Sequence, residues 1–188
     1  METLLVTGGA GFIGSSFVKI ALERGFQIRV LDDLSTGTEE TASRLREMGV
    51  DVFIGDVRDS RLLETVMQGI DAVVHLAAQA SVPLSIQTPN ETADINIKGT
   101  EYLLNKCIRF GIKRVIMASS AAVYGENENF PLTEKDGGDL LSPYAESKWE
   151  NEHQISKARD EGLEAVALRF FNVYGCLLYT SPSPRDRG

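Results

Sequence analysis

Residues 4–14 read Leu4-Leu5-Val6-Thr7-Gly8-Gly9-Ala10-Gly11-Phe12-Ile13-Gly14, an apolar run that ends in a glycine-rich turn. Beyond the turn, Phe12, Ile13, Phe17, Ile20 and Ala21 recur at helical spacing, so the stretch predicts strand, tight turn, helix. Gly8 is expected to let the chain turn, Gly11 to remove a side chain where backbone approaches a ligand, and Gly14 to let helix and strand lie close together. The free N–H groups at the start of such a helix face an anion, most simply a pyrophosphate. The spacing is G-x-x-G-x-x-G rather than the commoner G-x-G-x-x-G, and a bare structural turn is the competing reading. Its position after the first strand of the chain favours the nucleotide.

Outward from this stretch, strand and helix patterns alternate. The first helix is expected from Phe12 to Arg24, with Gly25 beyond it. Gln27–Asp33 reads as a second strand whose end carries Asp32 and Asp33, placed to accept hydrogen bonds from an adenosine ribose and to repel a 2′-phosphate. Ser35-Thr36-Gly37 reads as a loop and Glu39–Met48 as a helix with a polar face. A third strand, Val50–Gly55, leads into Asp56-Val57, and a short helix covers 60–67. The fourth strand, Ile70–Leu76, gives way to Ala77-Ala78, where small residues let a flat ring lie against the backbone. His75 in that strand reads as a core residue rather than a base. Pro83 and Pro89 bracket a segment expected to be irregular, followed by one long helix over 91–110. Ile112–Ala118 is the fifth strand, with Ser119-Ser120 at its end and a polar loop over 126–141. Ser142-Pro143 opens a helix reaching 161, serine as N-cap and proline at the first helical position, and Leu163–Phe170 is the sixth strand. This alternation predicts an α/β fold, a doubly wound parallel sheet with helices on both faces. Ligands bind such sheets at the carboxyl ends of the strands, which is where the singled-out polar residues fall.

Tyr144 and Lys148 stand four apart on the last long helix and therefore share a face. A free phenol ionises near pH ~10, too high for a base near neutrality. An adjacent ammonium and a positively charged nicotinamide would favour the phenolate. Lys148 could also hold the nicotinamide ribose, and Ser120 would orient a substrate hydroxyl.

Together, Thr7-Gly8-Gly9-Ala10-Gly11-Phe12-Ile13-Gly14, Asp32, Asp56-Val57, Ser119-Ser120, Tyr144-x-x-x-Lys148 and Arg169-Phe170-Phe171-Asn172 resemble the extended short-chain dehydrogenases/reductases. Within these, the chain is similar to the NAD-dependent nucleotide-sugar epimerases and dehydratases, over residues 3 to about 175. The resemblance implies a Rossmann domain over 1–175 and a tightly held NAD. The cofactor would lie along Gly8, Gly11, Phe12, Ile13, Gly14, Asp32, Asp33, Ser35, Thr36, Gly37, Asp56, Val57, Leu76, Ala77, Ala78, Ala80, Asn96, Ala118, Tyr144, Lys148 and Phe171. In the family a cofactor-contacting asparagine matches Ile95, and Asn96 stands beside it. Ser120, Tyr144 and Lys148 would be catalytic, and Ser120, Tyr144 and Asn172 would contact the sugar nucleotide, Asn172 at its diphosphate. The implied reaction is epimerisation at C4 through a transient 4-keto sugar. Relatives that dehydrate place an acidic residue just after the serine matching Ser120; here Ala121 and Ala122 supply neither acid nor base. A reductase or dehydratase of the same family, and a non-catalytic NAD-binding sensor, are the alternatives.

The chain has 188 residues, a net charge of −8 and 27 acidic against 19 basic residues, with no Lys/Arg cluster, which argues against a nucleic-acid partner. No apolar run approaches the length of a membrane span and no signal peptide is read at the start, so the expectation is a cytoplasmic protein without a membrane partner. Two cysteines provide neither a disulfide framework nor a metal-ligand spacing, and no metal is expected. The helices over 91–110 and 142–161 resemble the pair that forms a dimer bundle in the family, implying a homodimer of the full-length parent. After Gly175 the composition breaks: Cys176-Leu177-Leu178-Tyr179-Thr180-Ser181-Pro182-Ser183-Pro184-Arg185-Asp186 has no strand or helix period and resembles translated sequencing-library adapter. Residues 176–188 are therefore expected to be a non-native tail on a truncated, inactive fragment lacking the C-terminal substrate domain.

Overall fold

The computed structural model describes residues 2–127 and 130–175; the expected tail over 176–188 lies outside them. Six strands form one sheet: β1 (Thr3–Thr7), β2 (Gln27–Asp32), β3 (Asp51–Ile54), β4 (Ala72–His75), β5 (Arg114–Ser120) and β6 (Glu164–Phe170). Their order is β3-β2-β1-β4-β5-β6, and every pairing is parallel. Parallel neighbours need crossovers, supplied by α1 (Phe12–Glu23), α2 (Glu39–Glu47), α3 (Ser60–Val66), α4 (Val82–Gln87), α5 (Pro89–Ala93), α6 (Gly99–Phe110) and α7 (Pro143–Asp160). The chain winds one way from β1 to β3 and the other way from β4 to β6. The crevice for a ligand therefore opens between the carboxyl ends of β1 and β4, where Thr7 is in register with His75.

Successive side chains of each strand face opposite helix layers. Leu5, Leu31, Val73, Val115 and Met117 bury against Leu63, Val66, Leu103, Cys107 and Ile155 of α3, α6 and α7. Leu4, Val6, Ile28, Val30 and Val74 bury against Val18, Ala21 and Leu45 of α1 and α2. At the β6 edge, Ala165 and Ala167 join the first layer, while Val166 and Leu168 on the other face stay 44% and 42% exposed.

The expected elements are present with ends shifted by one or two residues, and two differ in kind. The segment between Pro83 and Pro89 is helical: Ser81 caps α4 by accepting from Leu84 N–H at 3.3 Å, and each proline sits in a first turn, where its missing N–H costs nothing. The helix expected over 91–110 is broken by one π-helical turn, Asp94–Lys98. Widening this turn frees carbonyls that side chains then take: Asn96 O accepts from Thr100 Oγ1 (2.6 Å) and Asn151 Nδ2 (2.9 Å), and Ile97 O accepts from Gln154 Nε2 (3.0 Å). Strand β5 also runs on through Ser119 and Ser120.

Candidate functional site

The glycine-rich turn has the geometry its spacing implies. Gly8 adopts φ +70°, and a Cβ there would lie 2.7 Å from Ala77 N. A Cβ on Gly14 would lie 2.1 Å from Gly8 O, so α1 is seated directly on the turn. A Cβ on Gly11 would meet only Gly8 O, at 3.3 Å, leaving that flank open. Gly11 is the N-cap of α1; no side chain caps this helix, and no acidic residue occupies its first turn. In contrast, Thr38, Asp59, Ser81 and Ser142 cap α2, α3, α4 and α7. A phosphate diester suits donors left in this way, with Phe12 and Ile13 in the first turn. Gly175 abuts the Phe12 ring, where a Cβ would come within 3.1 Å.

Asp32 is buried, and its carboxylate accepts from Ala10 N–H (2.8 Å) and Leu34 N–H (2.9 Å). It pins the glycine turn to the end of β2 and holds Leu34 at φ +59°. Burial raises its pKa against the lowering effect of these amides. Asp33 is exposed and closes a local turn by accepting from Ser35 N–H (2.9 Å) and Oγ (2.6 Å). Gly37 crowds the buried carboxylate, its Cβ position 3.0 Å from Asp32 Oδ1, and Thr36 before it is exposed. Asp56 is held by Arg58 through the backbone N–H (2.7 Å) and the guanidinium, and Arg58 also bonds Asp94 (2.6 Å). The Arg58 hydrogen bond lowers the Asp56 pKa. Val57 is buried beside it.

At the end of β4, Leu76, Ala77 and Ala78 line the crevice, with Ala80 exposed beyond them. His75 is buried between Thr7 and Thr100, Nδ1 at 2.7 Å from Thr7 Oγ1 and Nε2 at 3.0 Å from Thr100 Oγ1. Thr100 donates its proton to Asn96 O, so it accepts from His75 Nε2–H, and Nδ1 accepts from Thr7. Ala77 N–H donates to Thr7 Oγ1 at 3.3 Å, so a single run of hydrogen bonds joins the crevice wall to the π turn. Burial, with the nearby Lys148 charge, pushes the His75 pKa down to about 3. The unfolded chain binds this proton below pH ~6.5 and the folded chain does not. Stability is therefore fully present above that pH and is lost on acidification, by about 1.4 kcal/mol per pH unit between roughly pH 6 and 4. Urea titrations across this range are expected to show that slope in the wild type in excess of the slope in His75→Gln; equal slopes would contradict it.

Asn96 is also buried. Its side chain clamps both backbone groups of Gln79, Oδ1 accepting from N–H (2.8 Å) and Nδ2 donating to the carbonyl (3.0 Å). The remaining Nδ2 proton goes to Ser147 Oγ at 2.9 Å. Both amide protons are thus spent within the protein, and Asn96 ties the crevice wall to α7.

Tyr144 and Lys148 lie a turn apart on α7, the Lys148 ammonium 5.9 Å from the centre of the Tyr144 ring. Lys148 is buried, donates to Ala118 O at 2.9 Å, and has its pKa pushed down to about 8 by desolvation. Ser120 Oγ accepts from Ala122 N–H (3.2 Å), and the Ser120 hydroxyl acts on the Tyr144 phenol by favouring its ionised form. The expected lowering of the phenol pKa rests on the lysine and the nicotinamide charge together; within the protein alone burial is the larger influence and raises it, with Ser120 pulling the other way. Low dielectric disfavours the charged form of both groups at once, which spacing along a helix does not reveal. Phe171 (63% exposed) stands 6.0 Å from the Tyr124 ring, and Asn172 beside it is exposed.

Sequence reasoning missed Thr100, Ser147 and Asn151, and gave Thr7 no role beyond its place in the glycine-rich motif; all four hold the site through hydrogen bonds within the protein. The available signal was small polar residues on faces otherwise given to the core. Among the described residues there is no group of three His, Cys, Asp or Glu that could hold a metal, and no helix long and apolar enough to cross a membrane.

Comparison with known proteins adds three findings. The profile of the NAD dependent epimerase/dehydratase family matches residues 4–187. A UDP-glucose 4-epimerase of Halalkalibacterium halodurans is 39% identical over 175 residues, 92% of this chain and 51% of the relative. Among solved structures, the UDP-N-acetylglucosamine 4-epimerase of Methanobrevibacter ruminantium in complex with UDP-N-acetylmuramic acid is 38% identical with TM-score 0.87, over 93% of this chain and 56% of that one. The UDP-glucose 4-epimerase of Brucella ovis in complex with NAD is 36% identical with TM-score 0.84, over 92% and 52%. The chain spans about half the length of the relatives it matches.

Proposed function

The chain belongs to the NAD dependent epimerase/dehydratase family, and from that premise we propose that it is the cofactor-holding half of an NAD-dependent nucleotide-sugar 4-epimerase. The observation that carries this reading is the convergence of Ser120, Tyr144 and Lys148 beside Ala118 at the mouth of the sheet. NAD, when bound, supplies the acceptor that takes a hydride from the sugar and gives it back. The open flank of Gly11 and the uncapped start of α1 would receive its pyrophosphate. Asp32 and Asp33 put negative charge at the end of β2 and disfavour the 2′-phosphate of NADP.

The protein's own part is proton handling. Tyr144 takes the proton of the 4-hydroxyl as that carbon is oxidised and returns it after the 4-keto sugar has turned over. Ser120 holds the substrate oxygen and donates to the phenol, favouring the phenolate. Lys148, with a pKa of about 8, is mostly protonated at pH 7 and supplies the compensating positive charge. Ala121 and Ala122 form a 3-10 turn after Ser120, where elimination of water would need an acid and a base.

Assay of the complete enzyme with UDP-glucose, UDP-N-acetylglucosamine and UDP-glucuronate is expected to give interconversion with no net NADH. Net reduction or dehydration would replace the epimerase reading with another activity of the family, and NAD binding without turnover would make the protein a sensor. We propose in addition that the 188-residue chain alone binds NAD weakly and does not epimerise, and that residues 176–188 are not native; sequencing the gene through Gly175 tests the latter. Pairing of α6 and α7 with a second copy in the complete enzyme is part of the same proposal.

A further inference from the structure

Three consecutive residues at the end of β5 each meet one of three α7 side chains spaced four apart. Lys148 Nζ donates to Ala118 O at 2.9 Å, Ser119 Oγ donates to Glu152 Oε1, and the Ser120 hydroxyl acts on the Tyr144 phenol. Tyr144, Lys148 and Glu152 follow one another at i, i+4 and i+8 on a single helix face. The proposed chemistry uses the first two and leaves the third, a sheltered carboxylate, without a role.

Glu152 is held from the far side by Arg169, in register with Ser119 across β5 and β6. Arg169 grips it through both arms of the fork, Nε to Oε1 at 2.9 Å and Nη2 to Oε2 at 2.8 Å, and the two side chains are only 11% and 18% exposed. The guanidinium is itself fixed: Nη1 donates to Asp136 O at 2.7 Å, and the group lies 4.6 Å from the Tyr124 ring centre and 5.7 Å from that of Trp149. A bidentate pair stacked on two rings has little freedom to turn, so the oxygen facing Ser119 is fixed in direction. Past Ser120 the strand gives way to a 3-10 turn, and sheet pairing no longer constrains the chain.

We propose that Glu152 is a positioning residue that sets the Ser120 hydroxyl against the Tyr144 phenol, acting through Ser119 and aimed by Arg169. The carboxylate fixes the height of the strand end against α7, so that the hydroxyl one residue further on meets the phenol two turns back along the helix. Its value to turnover rests on the reading of Tyr144 as proton acceptor, whereas the influence of Ser120 on the phenol can be read without turnover, so the two can fail separately.

The test uses this chain labelled with ¹³Cζ-tyrosine. Tyr144→Phe identifies the Tyr144 resonance, and Ser120→Ala defines its displacement at neutral pH when the Ser120 hydroxyl is lost. Ser119→Ala and Glu152→Gln are each expected to move the resonance the same way, by at least about half of that displacement, and neither is expected to move it further once Ser120 is alanine. Ser119→Ala removes one hydroxyl and leaves the ion pair intact, so it decides the matter even where Glu152→Gln does not fold. An unmoved Tyr144 resonance in Ser119→Ala, or an equal displacement with and without the Ser120 hydroxyl, would overturn the proposal.

Discussion

Tyr144→Phe in the complete enzyme is expected to lower epimerase turnover by about 10²–10⁴-fold, the range a positioned acid–base group contributes, while NAD affinity stays close to that of the wild type. The substitution removes one oxygen and keeps the ring that α7 buries. Ser120 keeps its other bond, to Ala122 N–H, and Lys148 keeps Ala118 O. Only the proton acceptor is lost. A large residual rate would mean that another group takes the proton. His75 could not be that group in this fold, since both ring nitrogens are engaged by Thr7 and Thr100 and its pKa is down at about 3. Turnover and NAD titrations, compared between variant and wild type, check both halves of the prediction.

Gly14→Ala is expected to do the reverse, removing dinucleotide binding before any chemistry. The added methyl would lie 2.1 Å from Gly8 O and 2.7 Å from Gly9 Cα, both backbone, so α1 or the turn has to move. Overpacking of this kind costs about 1–3 kcal/mol, and more where nothing can give. The movement also shifts the helix start away from the open flank at Gly11. Gly25→Ala is the control: φ is +84° there, and nothing lies within 4 Å of the added atom. It is expected to cost about 1 kcal/mol from backbone strain and to leave NAD binding unchanged. Calorimetric NAD titration and thermal melts of the two variants check this; wild-type NAD affinity in Gly14→Ala would contradict it.

The first turn and helix were legible because their constraints are local: glycine spacing and a 3.6-residue period need no partner. Ser142-Pro143 announced α7 for the same reason, and the alternation of elements was enough to expect a parallel sheet. The π turn was not legible, because the groups that take up its freed carbonyls, Asn151 and Gln154, come from a helix more than fifty residues away. The position of Asp32 at a strand end shows a carboxylate able to meet a ribose, but not the brace it also makes to Ala10 and Leu34 N–H, because that depends on how the glycine turn folds back. Tyr144 and Lys148 were paired correctly from their spacing. The effect of burial on both groups was not legible, since spacing carries no information on it. Glu152 stood in plain sight at the next step of the same face, and only the Arg169 fork and the Ser119 hydroxyl distinguish it from a solvated charge.

The claim on which these readings depend is that Tyr144, Ser120 and Lys148 manage the proton while the hydrogen at C4 of the sugar leaves and returns inside one closed site. It is tested most directly with a UDP-hexose deuterated at C4, converted by the complete enzyme in ordinary water and examined by NMR. The account predicts an epimer that still carries deuterium at C4. Loss of the label to solvent would contradict it and point to proton abstraction from carbon instead.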